Sequence, residues 1–537
     1  MTHTALYRFA LLLALTLLVA STLHAQVTYT DLYEFDDAHG CCVTYPGILA
    51  QGRDGNLYGG TFSQGKHGFG TVFKISTTGV LGTLHDFNST DGNGAQGGLS
   101  MGLDGNFYGT TYQGGGHGFG TIFQIKPDGT FTNLYNFSNA NDGAYPRTPP
   151  VPAPDGNLYG TTGNGNVAAA YRITPAGTFT VLATLPSPSQ SPLILGANGL
   201  LYGMTSYGGN FNAGTVFSLS TKGVLTLIHS FDNTNGAQPL SPLFQASDGN
   251  FYGTASNGGP QGGGVVFKMT PSGTYTVLHA FASTDKVNGY APQAGVVLGT
   301  DGFLYGFNSL GGANGDGTSF RLKTNGANFQ LLYTFDLASG GAYPAATPVL
   351  DTNGVIYGLT LGGGASDDGV FYSLNATLKP FVSIFVISTA KVGATVPILG
   401  QGFNSASKVS FNGTPATFTI VTDNFLTARV PAGATTGKIM VTESSGTLTT
   451  PQTFHVIPQI LSFDPTSGPV GTVVTITGNS LTQTQGVGFG DRVPAQFTVN
   501  SDTQVTATVP SGAKTGPVGI QTPGGLAVSS GKFTVTN

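Results

Sequence analysis

The chain has 537 residues, of which 83 are glycine and only 8% are charged, with a formal net charge of −5. An average soluble protein has about 25% charged residues and about 7% glycine. The combination of 39% hydrophobic residues with a small net charge excludes an intrinsically disordered chain. Because 20 Lys and Arg face 25 Asp and Glu without a basic run, a nucleic-acid partner is also excluded. The length predicts more than one domain.

Residues 1–25 are predicted to be a secretory signal peptide. Arg8 supplies the positive charge, residues 9–19 form the apolar run, and cleavage is expected before Gln26. That run is too short for a transmembrane helix, and no later segment approaches about 18 consecutive apolar residues. We therefore expect a protein without a membrane span that is secreted, or held in the periplasm or at the cell surface.

The two cysteines, Cys41 and Cys42, are adjacent. Neighbouring Cα atoms across a trans peptide lie about 3.8 Å apart, whereas a normal disulfide needs about 4.4–6.8 Å. A vicinal disulfide would therefore be a strained ring, although export to an oxidising compartment permits one. A disulfide and two free thiols both stay open. Two cysteines cannot complete a four-ligand zinc site, and we predict neither a metal nor a cofactor.

An internal repeat decides the fold prediction. A Tyr-Gly pair recurs seven times at steps of 43 to 53 residues. Its tyrosines are Tyr58, Tyr108, Tyr159, Tyr202, Tyr252, Tyr305 and Tyr357. Another aromatic residue follows fifteen residues later in six repeats, and twelve residues later in the third.

Each repeat indicates four short strands. An Asp-Gly pair such as Asp54-Gly55 or Asp248-Gly249 joins the first two strands, and this pair favours a tight hairpin because both central residues adopt positive φ. No segment has helical periodicity. Repeated units of about 50 residues with four strands predict an all-β, seven-bladed β-propeller.

The two ends of the repeat region predict how the ring closes. Residues 28–35 match the fourth strand of a repeat, and the last repeat, residues 344–374, lacks a clear fourth strand. The N-terminal strand is therefore expected to complete the seventh blade and to cover an otherwise exposed sheet edge.

The repeats, with Asp-Gly-Asn-Leu-Tyr-Gly at 54–59 and Gly-Thr-Val-Phe-Lys-Ile at 70–75, resemble the GloVer tandem repeats of exported bacterial proteins. The resemblance covers roughly residues 27–375. It implies a secreted or surface propeller joined to varied anchoring modules, and it implies no established activity.

Two further domains are predicted, residues 380–457 and 458–537, after a propeller at residues 26–375. Short strands with turn signals at about 8–12-residue spacing predict immunoglobulin-like β-sandwiches. The pair resembles IPT/TIG domains, most specifically in the second copy, which contains Pro-x-x-Gly-Pro at 465–469; the first copy lacks this start. Such modules imply a role as spacers or interaction domains.

Candidate ligand contacts lie in loops that a propeller gathers on one face, namely those between the second and third strands and those leading to the next repeat. Their tyrosines and carboxylates suit sugars, which offer apolar faces and hydroxyls. The alternative is that these residues only shape turns. The candidates are Tyr45, His67, Asp91, His117, Asp142, Tyr145, Asp232, Asp285, Tyr290 and Tyr343.

Three other histidines, His85, His229 and His279, share one repeat position with tyrosines of other repeats, which predicts packing between blades. No catalytic motif is present. Our first hypothesis is an exported, monomeric, non-enzymatic binding, adhesion or scaffold protein whose propeller face binds a glycan or a surface protein. The alternative is an extracellular carbohydrate-active enzyme, a lyase or a glycoside hydrolase, with its site in the propeller funnel.

Overall fold

The computed structural model describes residues 27–42, 47–163 and 165–537. The predicted signal peptide and Tyr45 lie outside these described residues. Their fold is all-β, as predicted, with one short 3-10 helix among them, Phe403–Ser405. No helix within the described residues has both the length and the hydropathy that a membrane span requires.

Seven four-stranded antiparallel sheets, one for each Tyr-Gly repeat, fill the described part of residues 28–375. We number them sheets 1 to 7 along the chain, and in sheets 1 to 6 the strands are ordered first to fourth across the sheet. The strands of sheets 1 to 3 are Ala50–Gln51, Leu57–Gly60, Thr71–Ile75 and Leu81–Asp86; Leu99–Met101, Phe107–Thr111, Thr121–Ile125 and Phe131–Asn136; and Val151–Pro152, Leu158–Thr161, Ala169–Ile173 and Phe179–Thr184. Those of sheets 4 to 6 are Ile194–Leu195, Leu201–Thr205, Thr215–Leu219 and Leu225–Ser230; Phe244–Gln245, Phe251–Ala255, Gly262–Met269 and Tyr275–Ala282; and Val297–Leu298, Phe303–Asn308, Thr318–Lys323 and Gln330–Thr334.

Sheet 7 contains the N-terminal strand, as predicted. It consists of Val349–Leu350, Ile356–Leu359 and Val370–Asn375, completed by Thr28–Glu34. The last two strands are antiparallel, with Thr28 opposite Asn375 and Glu34 opposite Val370. A separate two-stranded antiparallel ribbon pairs Gly341–Ala342, which precedes this sheet in the sequence, with Gly362–Gly363 from the loop between its second and third strands.

The sheets are held together by apolar clusters that neighbouring sheets share. Six clusters join consecutive sheets from 1 to 7. A seventh joins sheet 7 to sheet 1, where Phe35, Leu49 and Phe73 pack with Tyr357 and Phe371. The sheets therefore form a closed ring, which is the arrangement of a β-propeller.

The Tyr-Gly motif has a packing explanation, which sheet 5 illustrates. Tyr252 donates a hydrogen bond of 2.8 Å to Asp248 of the preceding hairpin. Gly253 lies opposite Phe267 in the register of the second and third strands. A Cβ atom on Gly253 would lie 2.7 Å from Cζ of Phe267, closer than real Cβ contacts. The glycine therefore makes room for the aromatic ring that follows fifteen residues after the tyrosine.

The three histidines of the shared repeat position pack between sheets, as predicted. His85 stacks on Phe131 with ring centroids 3.9 Å apart, and His279 stacks on Phe329 at 4.0 Å. His229 stacks on Tyr275 at 4.2 Å. Burial lowers the pKa of all three imidazoles.

These lowered pKa values predict how stability depends on pH. Each histidine binds fewer protons in the folded state than in the unfolded state. The stability that the three neutral histidines contribute is therefore fully present above the ordinary pKa of 6.5, and it is lost as the pH falls below that value. We expect the melting temperature to fall between pH 7.5 and pH 5. The triple variant His85→Tyr, His229→Tyr, His279→Tyr is expected to flatten this dependence. Tyrosine should fit there, because two other repeats have a tyrosine at the equivalent position, Tyr135 and Tyr333.

Thermal melts of both proteins at the two pH values check this prediction. Burial raises the pKa of Asp351 to about 6, which contributes with the opposite sign. That contribution is common to both proteins, so their difference reports the histidines. The double variant His67→Gln, His117→Gln changes two exposed histidines and serves as the control. An equally steep fall in the triple variant would contradict the packing account.

The two C-terminal units are β-sandwiches with separate apolar cores. The first has one sheet of Ser383–Ile384, Thr395–Leu399, Phe425–Arg429 and Phe418–Thr422, another of Thr414–Ala416, Lys408–Phe411, Ile439–Glu443 and Gly446–Thr449, and a parallel pair, Thr389–Ala390 with His455–Val456. The second has one sheet of Gln459–Asp464, Val473–Asn479, Gln504–Thr508 and Phe497–Ser501, and another of Ser467–Gly468, Gly525–Val535, Gly516–Thr522, Gly486–Phe489 and Val493–Ala495.

The first sandwich contacts the face of the propeller that carries the Asp-Gly turns, which we call the hairpin face. The Arg53 guanidinium lies 4.3 Å above the Phe425 ring, and Phe425 joins the apolar cluster between sheets 1 and 2. Gln401 donates a hydrogen bond of 2.9 Å to Thr352 of sheet 7. The opposite face, formed by the loops between second and third strands and those joining successive sheets, is called the loop face. It is the face that holds the predicted candidates other than Tyr45, which lies outside the described residues.

Candidate ligand-binding face

The loops that join successive sheets are fixed by one recurring backbone contact. Tyr145, Gln238 and Tyr343 have φ between 53° and 58°, and each precedes a proline. Their N–H groups donate to Phe119, Ala213 and Asp316, respectively, in the second-to-third-strand loop of the preceding sheet, at 2.8 to 2.9 Å. Each of these three joining loops is therefore tied to the preceding loop at the same backbone position, whereas the side chain at that position varies between repeats.

The four predicted aspartates form turns within their own loops. The carboxylate of Asp142 accepts the Ser138 N–H at 2.8 Å and the Tyr135 hydroxyl at 3.0 Å. Asp285 accepts two backbone N–H groups, at 2.8 and 2.9 Å. Asp232 accepts one at 2.8 Å, and Asp91 accepts one at 3.0 Å while contacting His85 at 3.1 Å.

The electrostatics agree with this structural role. Burial would raise the pKa of Asp142, but the hydrogen bonds from Ser138 and Tyr135 outweigh it and lower the pKa below its ordinary value. Burial is likewise outweighed by backbone hydrogen bonds that lower the pKa of Asp232 and of Asp285. These carboxylates stay ionised, and they already accept hydrogen bonds from nearby residues. This favours a role in turn formation over a role in ligand contact.

The remaining predicted residues are spread over the loop face. His67 and His117 are exposed in the second-to-third-strand loops of sheets 1 and 2. Tyr290 exchanges backbone hydrogen bonds with Leu310, the shorter being 2.8 Å. Tyr343 lies near Asp316, and burial together with that carboxylate raises the pKa of its hydroxyl. The structure does not gather these four residues into one cluster.

One group of side chains does come together, and we call it the Tyr145 patch: Tyr112, Phe119, Tyr145 and Arg147. The Tyr145 ring centroid lies 5.3 Å from that of Tyr112 and 5.7 Å from that of Phe119. The Arg147 guanidinium lies 4.5 Å above the Tyr112 ring and donates to its hydroxyl at 3.2 Å. All four side chains are half-buried.

The sequence predicted only Tyr145 of this patch. A comparison of the repeats could have identified Tyr112, because the equivalent residue is a serine in sheets 4, 5 and 6. These serines are Ser206, Ser256 and Ser309. Two further aromatic side chains, Tyr207 and Phe211, are 44% and 59% exposed in the corresponding loop of sheet 4. Half-buried and exposed rings on one face suit ligands with apolar surfaces.

The loop face also contains the cysteine pair. Cys41 and Cys42 form a disulfide, with Cα atoms 3.8 Å apart. Cys42 has φ 62°, and its N–H donates to the Asp368 carbonyl of sheet 7 at 3.4 Å. A possible ligand atom of each cysteine and of Asp368 lies within 4.8 Å of the others. Sulfur atoms joined in a disulfide offer no thiolate ligand, so in this state the trio does not make a metal site.

The fold is thus a ring of repeated four-stranded sheets followed by two sandwiches, and comparison with family models gives its relatives. The model described as the Gloeobacter/Verrucomicrobia repeat matches residues 19–192 and 187–397, and the chain belongs to this family. The IPT/TIG domain model matches residues 380–456 and 458–535. Both resemblances stated from the sequence are confirmed.

No curated protein matches the chain. Similar solved structures include a fungal AA5-family alcohol oxidase in complex with copper, with 13% identity, 95% of this chain and 99% of that chain covered, and a TM-score of 0.43. The extracellular domain of a hybrid two-component system from B. thetaiotaomicron has 14% identity, coverages of 95% and 66%, and a TM-score of 0.44. A surface glycan-binding protein from Prevotella bryantii has 18% identity, coverages of 28% and 41%, and a TM-score of 0.22. At these scores the matches carry no functional inference.

Proposed function

We propose that this protein is an exported, non-enzymatic binding protein whose loop face binds a glycan through the Tyr145 patch. The observation that carries the proposal is the meeting of three half-buried aromatic rings and one guanidinium on that face. The two sandwiches act as spacers or interaction modules, and the first of them lies against the opposite, hairpin face. The extracellular setting rests on the predicted signal peptide.

The chemistry of the patch matches a sugar. The C–H groups of a pyranose can lie against the rings of Tyr145 and Tyr112, where burial of apolar surface favours binding. The Arg147 N–H groups and the tyrosine hydroxyls can then exchange hydrogen bonds with sugar hydroxyls. The Tyr145 backbone is already held by its hydrogen bond to the Phe119 carbonyl, which limits the conformational entropy that this loop loses on binding.

A glycan array on the mature protein tests this proposal, with release of products from any bound sugar measured in parallel. We expect binding of at least one glycan and no product. The variants Tyr145→Gln, Tyr112→Ser and Arg147→Gln should lose array signal, and each introduces the residue found at that position in another repeat, as Gln238, Ser206 and Gln293.

The control is Val80→Thr, which changes a 72% exposed residue in a hairpin turn of sheet 1 and should bind like the wild type. Absence of any glycan signal would contradict the proposal. Release of products would instead support the carbohydrate-active enzyme. The described aspartates of the predicted site are bonded within their loops, and none of them favours that alternative.

A further inference from the structure

Arg147 is the charged side chain of the Tyr145 patch, and it forms no ion pair with a carboxylate that the structure describes. Its guanidinium lies above the Tyr112 ring and donates to the Tyr112 hydroxyl at 3.2 Å. Because the side chain is half-buried, it has given up part of its hydration without gaining a counter-charge.

The fold does not require a positive charge at this position. Arg147 is the second residue after Tyr145, whose N–H is donated to the preceding loop. The residues at the same distance from the equivalent N–H donor in other joining loops are uncharged, namely Gln96, Leu240, Gln293 and Ala345. The charge of Arg147 is therefore not needed to form the loop.

The free N–H groups of Arg147 reach solvent. A guanidinium has five N–H groups, and the Tyr112 hydroxyl accepts one of them. Nε of Arg53 and Nε of Arg172 are buried without a hydrogen-bond partner, whereas no nitrogen atom of Arg147 is in that state. A ligand on the loop face can therefore accept hydrogen bonds from Arg147.

There is also room for a ligand group beside Arg147. Gly163 is the fourth residue after the repeat tyrosine of sheet 3, the position that Tyr112 has in sheet 2. The other sheets have a side chain there, as in Phe62 and Leu361. A Cβ atom on Gly163 would lie 3.6 Å from Cγ of Arg147. The glycine therefore leaves the guanidinium open on the side of sheet 3.

The carboxylate that precedes Arg147 in the same loop does not compete for its charge. Asp142 is 8% exposed and accepts hydrogen bonds from the N–H and the hydroxyl of Ser138, both at 2.8 Å. It also accepts the Ala140 N–H at 3.1 Å and the Tyr135 hydroxyl at 3.0 Å. These bonds direct its negative charge into its own turn.

We propose that the glycan bound by the loop face is acidic, and that Arg147 selects it by binding a carboxylate or sulfate group of the sugar. This inference rests on the proposed glycan-binding function and specifies its ligand class. The sugar ring lies against Tyr145, and two oxygen atoms of the anionic group accept hydrogen bonds from the free N–H groups of Arg147. The planar fork of a guanidinium matches such a pair of oxygen atoms.

Matched pairs of oligosaccharides test the ligand class. Oligogalacturonate and oligomannuronate are each compared with their methyl esters, and carrageenan oligosaccharides with their desulfated form, so that each pair differs in charge and keeps the same sugar rings. We expect at least one acidic member to bind about tenfold or more tightly than its neutral counterpart, as for one charge-assisted contact. The preference should weaken as the NaCl concentration rises. The pairs also distinguish a carboxylate from a sulfate.

Three variants assign the preference to one side chain. Arg147→Gln introduces the residue found as Gln96 and Gln293, and it should bind the acidic and the neutral member equally. Arg147→Lys should retain part of the preference, since lysine keeps the charge but not the planar fork. Lys66→Gln removes one charge from an exposed residue of the same face, in sheet 1, and should retain the full preference.

The outcomes separate this inference from the proposed function. The inference would be overturned if no acidic member were preferred, or if Arg147→Gln kept the preference. Loss of the preference in Lys66→Gln would also overturn it, because the effect would then belong to the charge of the whole face. Binding of neutral glycans alone would leave the proposed function intact, whereas absence of any glycan signal would contradict both.

Discussion

Deletion of residues 26–36 is expected to lower the melting temperature by roughly 10 °C or more, since each lost kcal/mol costs a few degrees in a domain of this size. The deletion removes the fourth strand of sheet 7 and exposes the edge of Val370–Asn375. It also removes Phe35, which is 1% exposed between sheets 7 and 1, and Tyr29, whose ring stacks on Tyr333 at 4.1 Å. Loss of one buried phenylalanine side chain alone costs about 3–5 kcal/mol.

Differential scanning calorimetry of the truncated and full chains measures the change in melting temperature. Phe35→Ala tests the same closure in a chain that keeps the strand, and about 3–5 kcal/mol of stability should be lost. Thr30→Ala changes an exposed residue of that strand and should cost less than about 0.5 kcal/mol. If the truncated protein melted at the temperature of the full chain, the ring would not depend on this strand.

Gly253→Ala should destabilise the propeller by about 1–3 kcal/mol, the usual cost of overpacking a core. The new Cβ would lie 2.7 Å from Phe267 Cζ and 3.1 Å from Leu243 Cδ2. Both neighbours are buried in the core between sheets 4 and 5, so neither can move away without displacing others. Urea unfolding of the purified variant measures the loss.

Gly82→Ala is the matched control, because a Cβ there meets nothing within 4 Å and its residue is exposed in the fourth strand of sheet 1. Alanine in a strand should be neutral or slightly stabilising at this position. Equal stability of Gly253→Ala and the wild type would mean that the Tyr-Gly motif is not maintained by packing.

The fold was largely predictable because the same pattern of strands and turns recurs in seven repeats. The Tyr-Gly pairs and Asp-Gly turns predicted four strands per repeat, and the unmatched strand at residues 28–35 predicted the closure seen with Val370–Asn375. The sequence did not reveal why the motif is Tyr-Gly. The bond from Tyr252 to Asp248 and the contact of Gly253 with Phe267 require the strand register.

The candidate site was predictable only in part. Tyr145 was identified as a tyrosine in a loop that leads to the next repeat. Its neighbours Tyr112 and Phe119 lie in a different loop and meet it only when sheets 2 and 3 are adjacent. Asp142 was selected because it is a carboxylate in one of these loops, but its hydrogen bonds from Ser138 and Tyr135 show that it stabilises a turn.

Calorimetric titration of the wild type and of Tyr145→Gln, with the glycan that gives the strongest array signal, measures how much the Tyr145 patch contributes to glycan binding. We expect the variant to bind at least about tenfold more weakly, which corresponds to roughly 1.4 kcal/mol from a lost ring contact and its hydrogen bond. The two proteins should have the same melting temperature, since Gln238 occupies the equivalent backbone position. Equal affinities would show that the Tyr145 patch is not where the glycan binds.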